Sequence, residues 1–273
     1  MNDFEKINEA AGFIKKIIKN KVEIGIMLGS GLGGLVNKIK VKETIPYKDI
    51  PYFPVSTVDG HAGNLNFGGI GGKNVIAFQG RFHLYEGYSA NQIALPIRTL
   101  KFLGAEIFIE SNAAGGLNPL FKQGDVVIIS DHINFQGVNP LVGENDERIG
   151  VRFPDMSEPY SRELIEMAEK IALEEKIPVR KGVLAGLLGP NLETKAEYRF
   201  LRSIGSDMVT MSTIPEVIAA NHAGLKVFGV SVITDMCLPD ALKPASFEEI
   251  IKVAMNVEPL LTKFIEKIII RIN

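Results

Sequence analysis

The sequence predicts an α/β fold: a single domain over residues 1–273, built on a central mixed β-sheet flanked by helices. Three observations carry this. Short apolar runs of strand length recur at 24–28, 74–78, 106–110, 125–130, 183–188 and 227–233. Helix-period segments at 91–103, 161–175, 194–204 and 214–223 lie between several of them, and that alternation calls for a largely parallel or mixed sheet. The 273 residues contain no repeat, low-complexity stretch or dividing linker, and α/β domains of about 200–250 residues are common.

From the N-terminus, Phe4, Ile7, Ala11, Ile14 and Ile18 recur at helical spacing behind Asp3, which is placed to cap the first turn. Lys6 stands where a full capping box would want Glu or Gln. Ile24–Leu28 reads as a buried strand emptying into glycines. Gly69–Gly72 divides Asn64–Phe67 from Lys73–Phe78 and predicts a hairpin. The Pro-bearing segments 44–56 and 136–159 lack clear periodicity, as stretches that cover a site or an interface do. Phe247–Ile269 closes the chain with Ile250, Ala254, Val257, Leu261, Phe264 and Ile268 on one stripe, a helix lying on the sheet that Pro259 should kink or break.

Thirty Lys and Arg against 32 Asp and Glu leave a formal charge of −2, too near neutral for a nucleic-acid footprint. Hydrophobic residues at 46% and charged ones at 23% exclude a disordered chain. The single cysteine, Cys237, cannot form an internal disulfide and no Asn-x-Ser/Thr site occurs, so a reducing compartment is expected. No apolar stretch approaches the roughly 18 residues of a membrane span, and MNDFEKINEA lacks the apolar centre of a signal peptide. A soluble, cytoplasmic protein without membrane partners is the expectation.

Gly29, Gly31 and Gly34 follow a strand with G-x-G-x-x-G spacing, but Pro46, Pro51 and Pro54 soon follow, where a dinucleotide unit needs a helix, a second strand and an acidic residue. Beside the plain alternative of a tight turn, the loop offers backbone N–H groups and the Ser30 hydroxyl to an anion such as phosphate. Next comes Gln79–Tyr88, where period-2 geometry would put Arg81, His83 and Tyr85 on one side of an extended segment; a guanidinium grips phosphate and an imidazole donates or shuttles a proton. Met211–Glu216 reads as a helix start, with Ser212 or Thr213 as cap and Pro215 in the first turn; such a start doubles as an anion seat, though the stretch alone favours a plain capping role for Ser212. Ser111–Gly116 follows another strand with residues small enough for close ligand approach. Glu193 and Asp235 stand at strand exits. His61, His83, His132 and His222 are scattered without a metal motif, and His222 reads as structural; G-x-S-x-G and Walker loops are missing.

Taken together, GSGLGGL at 29–35, FQGRFHLYEGY at 78–88, SNAAGGLNP at 111–119, DHINF at 131–135, NPLVGENDERIGVRFPDMS at 139–157 and MSTIPEVIAA at 211–220 closely resemble the trimeric purine nucleoside phosphorylases. The resemblance spans nearly the whole chain. It implies a pentosyltransferase of purine salvage, a homotrimer that cleaves a purine nucleoside with inorganic phosphate as co-substrate, without a cofactor or metal. It places phosphate on Ser30, Arg81, His83, Ser212 and the backbone of Ala113, and ribose on Tyr85 and Met211. Glu193 and Asp235 would meet the purine, and Phe153 would enter the neighbouring subunit's site. The implied catalytic set is His83, Glu193 and Asp235.

Three departures from the family pattern bear on substrate. Asp235 stands where members preferring 6-oxopurines usually carry Asn, and a carboxylate accepts from a 6-amino group but does not donate to O6. Leu192 replaces a stacking aromatic. Phe247 aligns with a His that meets the ribose 5′-hydroxyl. These leave 5′-methylthioadenosine phosphorylase as the alternative within the family. More distant are an NAD-linked oxidoreductase using the glycine loop and a non-catalytic nucleoside-binding protein.

Overall fold

The computed structural model describes residues 1–55, 57 and 62–272, so His61 lies outside the described residues, as does Ser56 at the end of the first Pro-bearing segment. In chain order the elements are α1 (Asp3–Ile17), β1 (Ile24–Leu28), β2 (Lys40–Pro46), β3 (Asn64–Ile70), β4 (Lys73–Gln79), α2 (Ala90–Leu103), β5 (Ile107–Gly116), β6 (Val126–Asn134), α3 (Arg162–Glu174), β7 (Val179–Gly186), α4 (Lys195–Ser203), β8 (Met208–Thr210), α5 (Ile214–His222), β9 (Lys226–Met236) and α6 (Phe247–Arg271). The strands form one mixed sheet in the order β2-β3-β4-β1-β5-β8-β7-β6-β9, and β9 pairs back onto β5.

That last pairing decides where a ligand fits. Along one edge β5 pairs with β1 through Ile107–Glu110, then leaves it and pairs antiparallel with β8 at Gly115 and Gly116. Its other edge follows β9 over the whole strand, with a register shift between Ala114 and Gly115. Strands β5, β8, β7, β6 and β9 thus close into a ring beside an open wing of β2, β3, β4 and β1. Where β5 changes partner, the carboxyl end of β1 and the end of β8 diverge, leaving a crevice of the kind that open α/β sheets use for ligands. Helix α1 packs on α2 and α2 on α5, while α6 packs on β9 and α3.

The α/β reading and each expected helix and strand stand, with boundaries moved by a few residues. The hairpin forms with Gly71 at φ +57° and Gly72 at φ +83°, the left-handed pair of a two-residue turn whose twist suits the flanking strands. Four local expectations are corrected. The cap of α1 is Asn2, not Asp3: Asn2 Oδ1 accepts from Glu5 N at 2.9 Å and Glu5 Oε2 accepts from Asn2 N at 3.0 Å, completing a capping box one residue earlier. Ser111–Gly116 is not a turn after a strand but the second half of β5. Strand β7 ends at Gly186, short of the expected 188. Finally, α6 runs on through Pro259; Met255, whose carbonyl loses its donor there, is on the exposed side, where water replaces it.

Phe264 on α6 is fully buried and meets Phe228 of β9 edge-on, with ring centroids 6.4 Å apart. Phe264→Ala should cost about 3–5 kcal/mol in denaturant unfolding. Leu173→Ala, at an α3 position 84% exposed, should stay within about 0.5 kcal/mol.

Candidate active site

A cavity of about 430 Å³ occupies the crevice. One wall is made by Ser30 beyond β1, by Arg81, His83 and Tyr85 beyond β4, and by Met211 and Ser212 beyond β8. The floor is Ala113–Gly115 of β5, the far wall carries Glu193, Asp235 and Leu192, and Phe247 lines the cavity near the Ser30 loop. Every expected site residue except Phe153 is therefore brought to one place. Phe153 is 87% exposed and lines no part of this cavity.

On the anion side, Ser30 is carried in by a close approach of β1 to β5. Gly29 N donates to Ser111 Oγ at 3.3 Å, Ser111 Oγ donates to Met27 O at 2.9 Å, and a Cβ on Gly29 would stand 2.7 Å from the Ser111 carbonyl. Glycine is required there by contact. No α-helix follows; Gly33–Lys38 forms a 3-10 turn leading into the edge strand β2, so the dinucleotide-type context is missing in structure as in sequence.

Arg81, only 1% exposed, donates from Nε and Nη2 to the two oxygens of Glu216 at 3.3 and 3.0 Å. Its Nη2 also makes a very short contact with Glu110 Oε1, and Nη1 donates to Ser111 O and Ser212 Oγ, both at 3.1 Å. Burial acts to lower the guanidinium's pKa, but the two carboxylates outweigh it and hold Arg81 charged. Burial pushes the Glu110 carboxyl well up; Arg81 opposes that and Glu216 adds to it. Glu110, Glu216, Thr213 and Asn112 were not anticipated as site residues. The one available signal for Glu110 is a charge ending the apolar run 107–109.

The helix start at α5 resolves in favour of Thr213, not Ser212, as cap. Thr213 is β-branched and fully buried at φ +73°, a strained conformation. Glu216 Oε2 accepts its N–H at 2.8 Å, and its hydroxyl accepts from Asn112 Nδ2 at 2.8 Å and donates to Glu110 Oε1 at 3.2 Å. Those bonds fix the peptide that points Ser212 into the cavity.

Arg81, His83 and Tyr85 do converge, but not by strand periodicity. The chain leaves β4 at Gln79, and Leu84–Glu86 is a 3-10 turn that folds Tyr85 back over His83, the rings stacked 4.6 Å apart at 14°. Glu86 Oε1 accepts from His83 N at 2.8 Å and lies 2.9 Å from Nδ1, while Oε2 accepts from Thr57 N and Oγ1 at 2.8 and 2.6 Å. Burial would raise the Glu86 pKa, yet the His83 and Thr57 hydrogen bonds win and hold it at about 2. The ionised Glu86 therefore orients the imidazole by taking the Nδ1 proton in a hydrogen bond. Burial pushes the Tyr85 hydroxyl up to about 12, so it stays protonated.

On the far wall, Asp235 sits within β9, not beyond it, and Glu193 lies seven residues past β7, just before α4. Asp235 Oδ1 accepts from Thr234 Oγ1 at 2.9 Å and Oδ2 from Cys237 Sγ at 3.1 Å. Burial and Asp235 together raise the Cys237 thiol, which stays a neutral donor. Burial also raises Glu193, with Tyr198 opposing by a hydrogen bond. Leu192 and Phe247 are half-exposed at the rim. His222 is structural, its Nε2 3.1 Å from Asn145 Oδ1. Among the described residues no group of three or more His, Cys, Asp or Glu is arranged to hold a metal, and no helix is long and apolar enough to cross a membrane.

The family model of the phosphorylase superfamily matches residues 23–270. Purine nucleoside phosphorylase 1 of Bacillus subtilis is 49% identical over 265 residues, covering 97% of this chain and 98% of that one. The purine nucleoside phosphorylase of Bos taurus is 44% identical over 269 residues, 96% of this chain and 93% of the other. In three dimensions the chain is similar to a Schistosoma purine nucleoside phosphorylase solved with hypoxanthine, with a TM-score of 0.94, 45% identity and 98% of each chain covered. The chain belongs to the phosphorylase superfamily, as one of its purine nucleoside phosphorylases.

Proposed function

We propose that this pentosyltransferase carries out phosphorolysis between two walls of unlike chemistry, the donor-rich wall around Arg81 and the carboxylate wall of Glu193 and Asp235. The convergence of Ser30, Arg81, His83 and Ser212 at one end of the cavity supports this reading. Phosphate, the co-substrate, takes hydrogen bonds from the two hydroxyls, the guanidinium, the imidazole and the Ala113 backbone. Ribose lies over Met211 and Tyr85. As the bond from C1′ to the purine nitrogen stretches, positive charge grows on the sugar directly above the anion, and a phosphate oxygen completes the new bond to C1′. The bonding electrons leave with the base, and ribose 1-phosphate remains. The chemistry needs no cofactor. A buried, neutral Cys237 fits a reducing cytoplasm.

Base release from inosine or adenosine should require phosphate, and release unchanged in its absence would overturn the reading. Ser30→Ala, which removes one hydrogen bond to a charged ligand worth about 1.5–3 kcal/mol, should raise the phosphate KM by about tenfold to about 150-fold and leave nucleoside KM nearly unchanged.

Asp235 has both carboxylate oxygens turned toward donors, Thr234 and Cys237, an acceptor arrangement that suits a 6-amino group on the base. This supports use of adenosine at least as readily as inosine, and with half-exposed Phe247 at the 5′ side it keeps 5′-methylthioadenosine as the second reading. Asp235→Asn should shift the inosine-to-adenosine ratio of kcat/KM upward by about 5- to 150-fold. An unchanged ratio removes Asp235 from base selection.

The homotrimer is the third part of the proposal. Phe153 with Arg152 stacked near it at 5.7 Å stands out from the surface between Val151 and Pro154, an exposed apolar side chain suited to a neighbour's cavity. Sedimentation should give a three-subunit mass. Phe153→Ala should raise nucleoside KM about tenfold or more while phosphate KM holds, since a buried aromatic contact is worth about 1.5–3 kcal/mol.

A further inference from the structure

Behind the anion wall the charges do not balance for an anion-binding site. Arg81 supplies one positive charge, and Glu110 and Glu216 both bond to it within a region closed to water. If both carboxyls were ionised the cluster would carry a net negative charge directly behind the seat for phosphate, and in a low-dielectric interior that repels the ligand. Glu216 is committed: both its oxygens bond to Arg81 and one also accepts the Thr213 N–H. Glu110 differs. It is fully buried, its Oε1 takes Arg81 and the Thr213 hydroxyl, and its Oε2 has no hydrogen-bond partner among the described residues. An ionised carboxylate with one oxygen buried and unbonded is the costlier state.

We propose that Glu110 sets the charge of the phosphate site: it holds a proton whenever the anion is bound, so that anion capture is linked to protonation of this one side chain. The proposal rests on the phosphorolytic reading above and adds a positioning residue behind it. The balance is simple. With Glu110 neutral, Arg81 and Glu216 cancel and the donors facing the cavity act on phosphate unopposed. When Glu110 loses its proton, a negative charge appears one guanidinium away from the ligand. The direction of its shift agrees, since burial and Glu216 both favour the neutral acid. Among the described residues the other groups around it are few. Strands β1 and β9 place Met27 and Gly229 beside Glu110. Tyr160 feels its charge, with His132 and Asp131 behind, and Tyr47 faces Arg81 and Glu216. Burial raises both tyrosines. On the cavity side stand His83, Glu86 and Tyr85.

Sulfate is the appropriate probe because it does not titrate where phosphate does. Its Kd is measured calorimetrically from about pH 6 to about pH 10, in pairs of buffers with different ionisation enthalpies, for wild type and Glu110→Gln. Gln keeps the shape and mimics the protonated acid. The two proteins should bind alike at the acid end. As Glu110 ionises, wild type should weaken by up to about tenfold per pH unit beyond E110Q and take up a proton on binding that E110Q does not. Contributions from His83, Glu86 and the tyrosines are common to both proteins and cancel. Should E110Q not fold, the wild-type proton uptake and an infrared carbonyl band from a protonated carboxyl in the sulfate complex still decide. Equal pH slopes in the two proteins, or no proton uptake and no such band in wild type, overturn the role of Glu110 while phosphorolysis stands. Base release indifferent to phosphate overturns the phosphorolytic reading, and this proposal with it.

Discussion

The buried guanidinium of Arg81 is the interaction on which the site depends. It ties the segment after β4 to β5 through Glu110 and the Ser111 carbonyl, to the β8–α5 turn through Ser212, and to α5 through Glu216. Removing one partner of such a buried pair costs about 3–5 kcal/mol, because the charge left behind has no solvent. The segment after β4, strand β5 and the β8–α5 turn each also carry a group that lines the cavity. Their relative positions are therefore set by a network whose rupture is expensive, and the donors for the anion are in place before it arrives.

The same network explains a backbone conformation that local preference opposes. A β-branched residue at positive φ is unfavourable by about 1–3 kcal/mol, yet Thr213 adopts φ +73°. Glu216 holds its N–H, and its hydroxyl lies between Asn112 and Glu110. Relaxing Thr213 would break those bonds and swing Ser212 away from Arg81. Strain is thus stored where the chain turns from β8 into α5, and it is balanced by hydrogen bonds to Asn112 and Glu110 of the adjoining β5.

Much of this was legible in the sequence, and what was not has physical reasons. Long elements announced themselves through periodicity, and the glycines of the β3–β4 turn named their own geometry. Strand β2 did not, because it lies at the sheet edge with Lys40, Lys42 and Glu43 exposed and shows no buried pattern. Three-residue β8 is too short for any periodicity. Ser30, Arg81, His83 and Ser212 could be read as anion ligands because donor chemistry at strand exits and helix starts is local. Glu110 could not, because its meaning depends on Arg81 29 residues before it and on Glu216 far beyond it. The alternation that seemed to align Arg81 with Tyr85 reached a correct grouping for the wrong reason, since a 3-10 turn and ring stacking do that work.

The two walls of the cavity differ in how firmly they are built, and the difference follows the chemistry each must perform. A phosphate anion is small and tetrahedral in either of its charge states near neutrality, so a rigid, strained and closed cluster suits it and gains preorganisation. Away from that cluster the rim residues Leu192 and Phe247 are half-exposed, with Cys237, Tyr198 and Glu193 buried and Asp235 partly buried behind them, a looser build that suits groups varying between nucleosides. Asp235 is the exception within that adaptable wall. A donor meets each of its oxygens, and the Cys237 thiol remains protonated because burial and Asp235 itself both disfavour a thiolate. The protonated thiol keeps one oxygen of Asp235 in a fixed hydrogen bond, which on the proposed reading would concentrate discrimination between 6-amino and 6-oxo purines in one acceptor, while the surrounding apolar rim would accommodate the remaining differences between substrates.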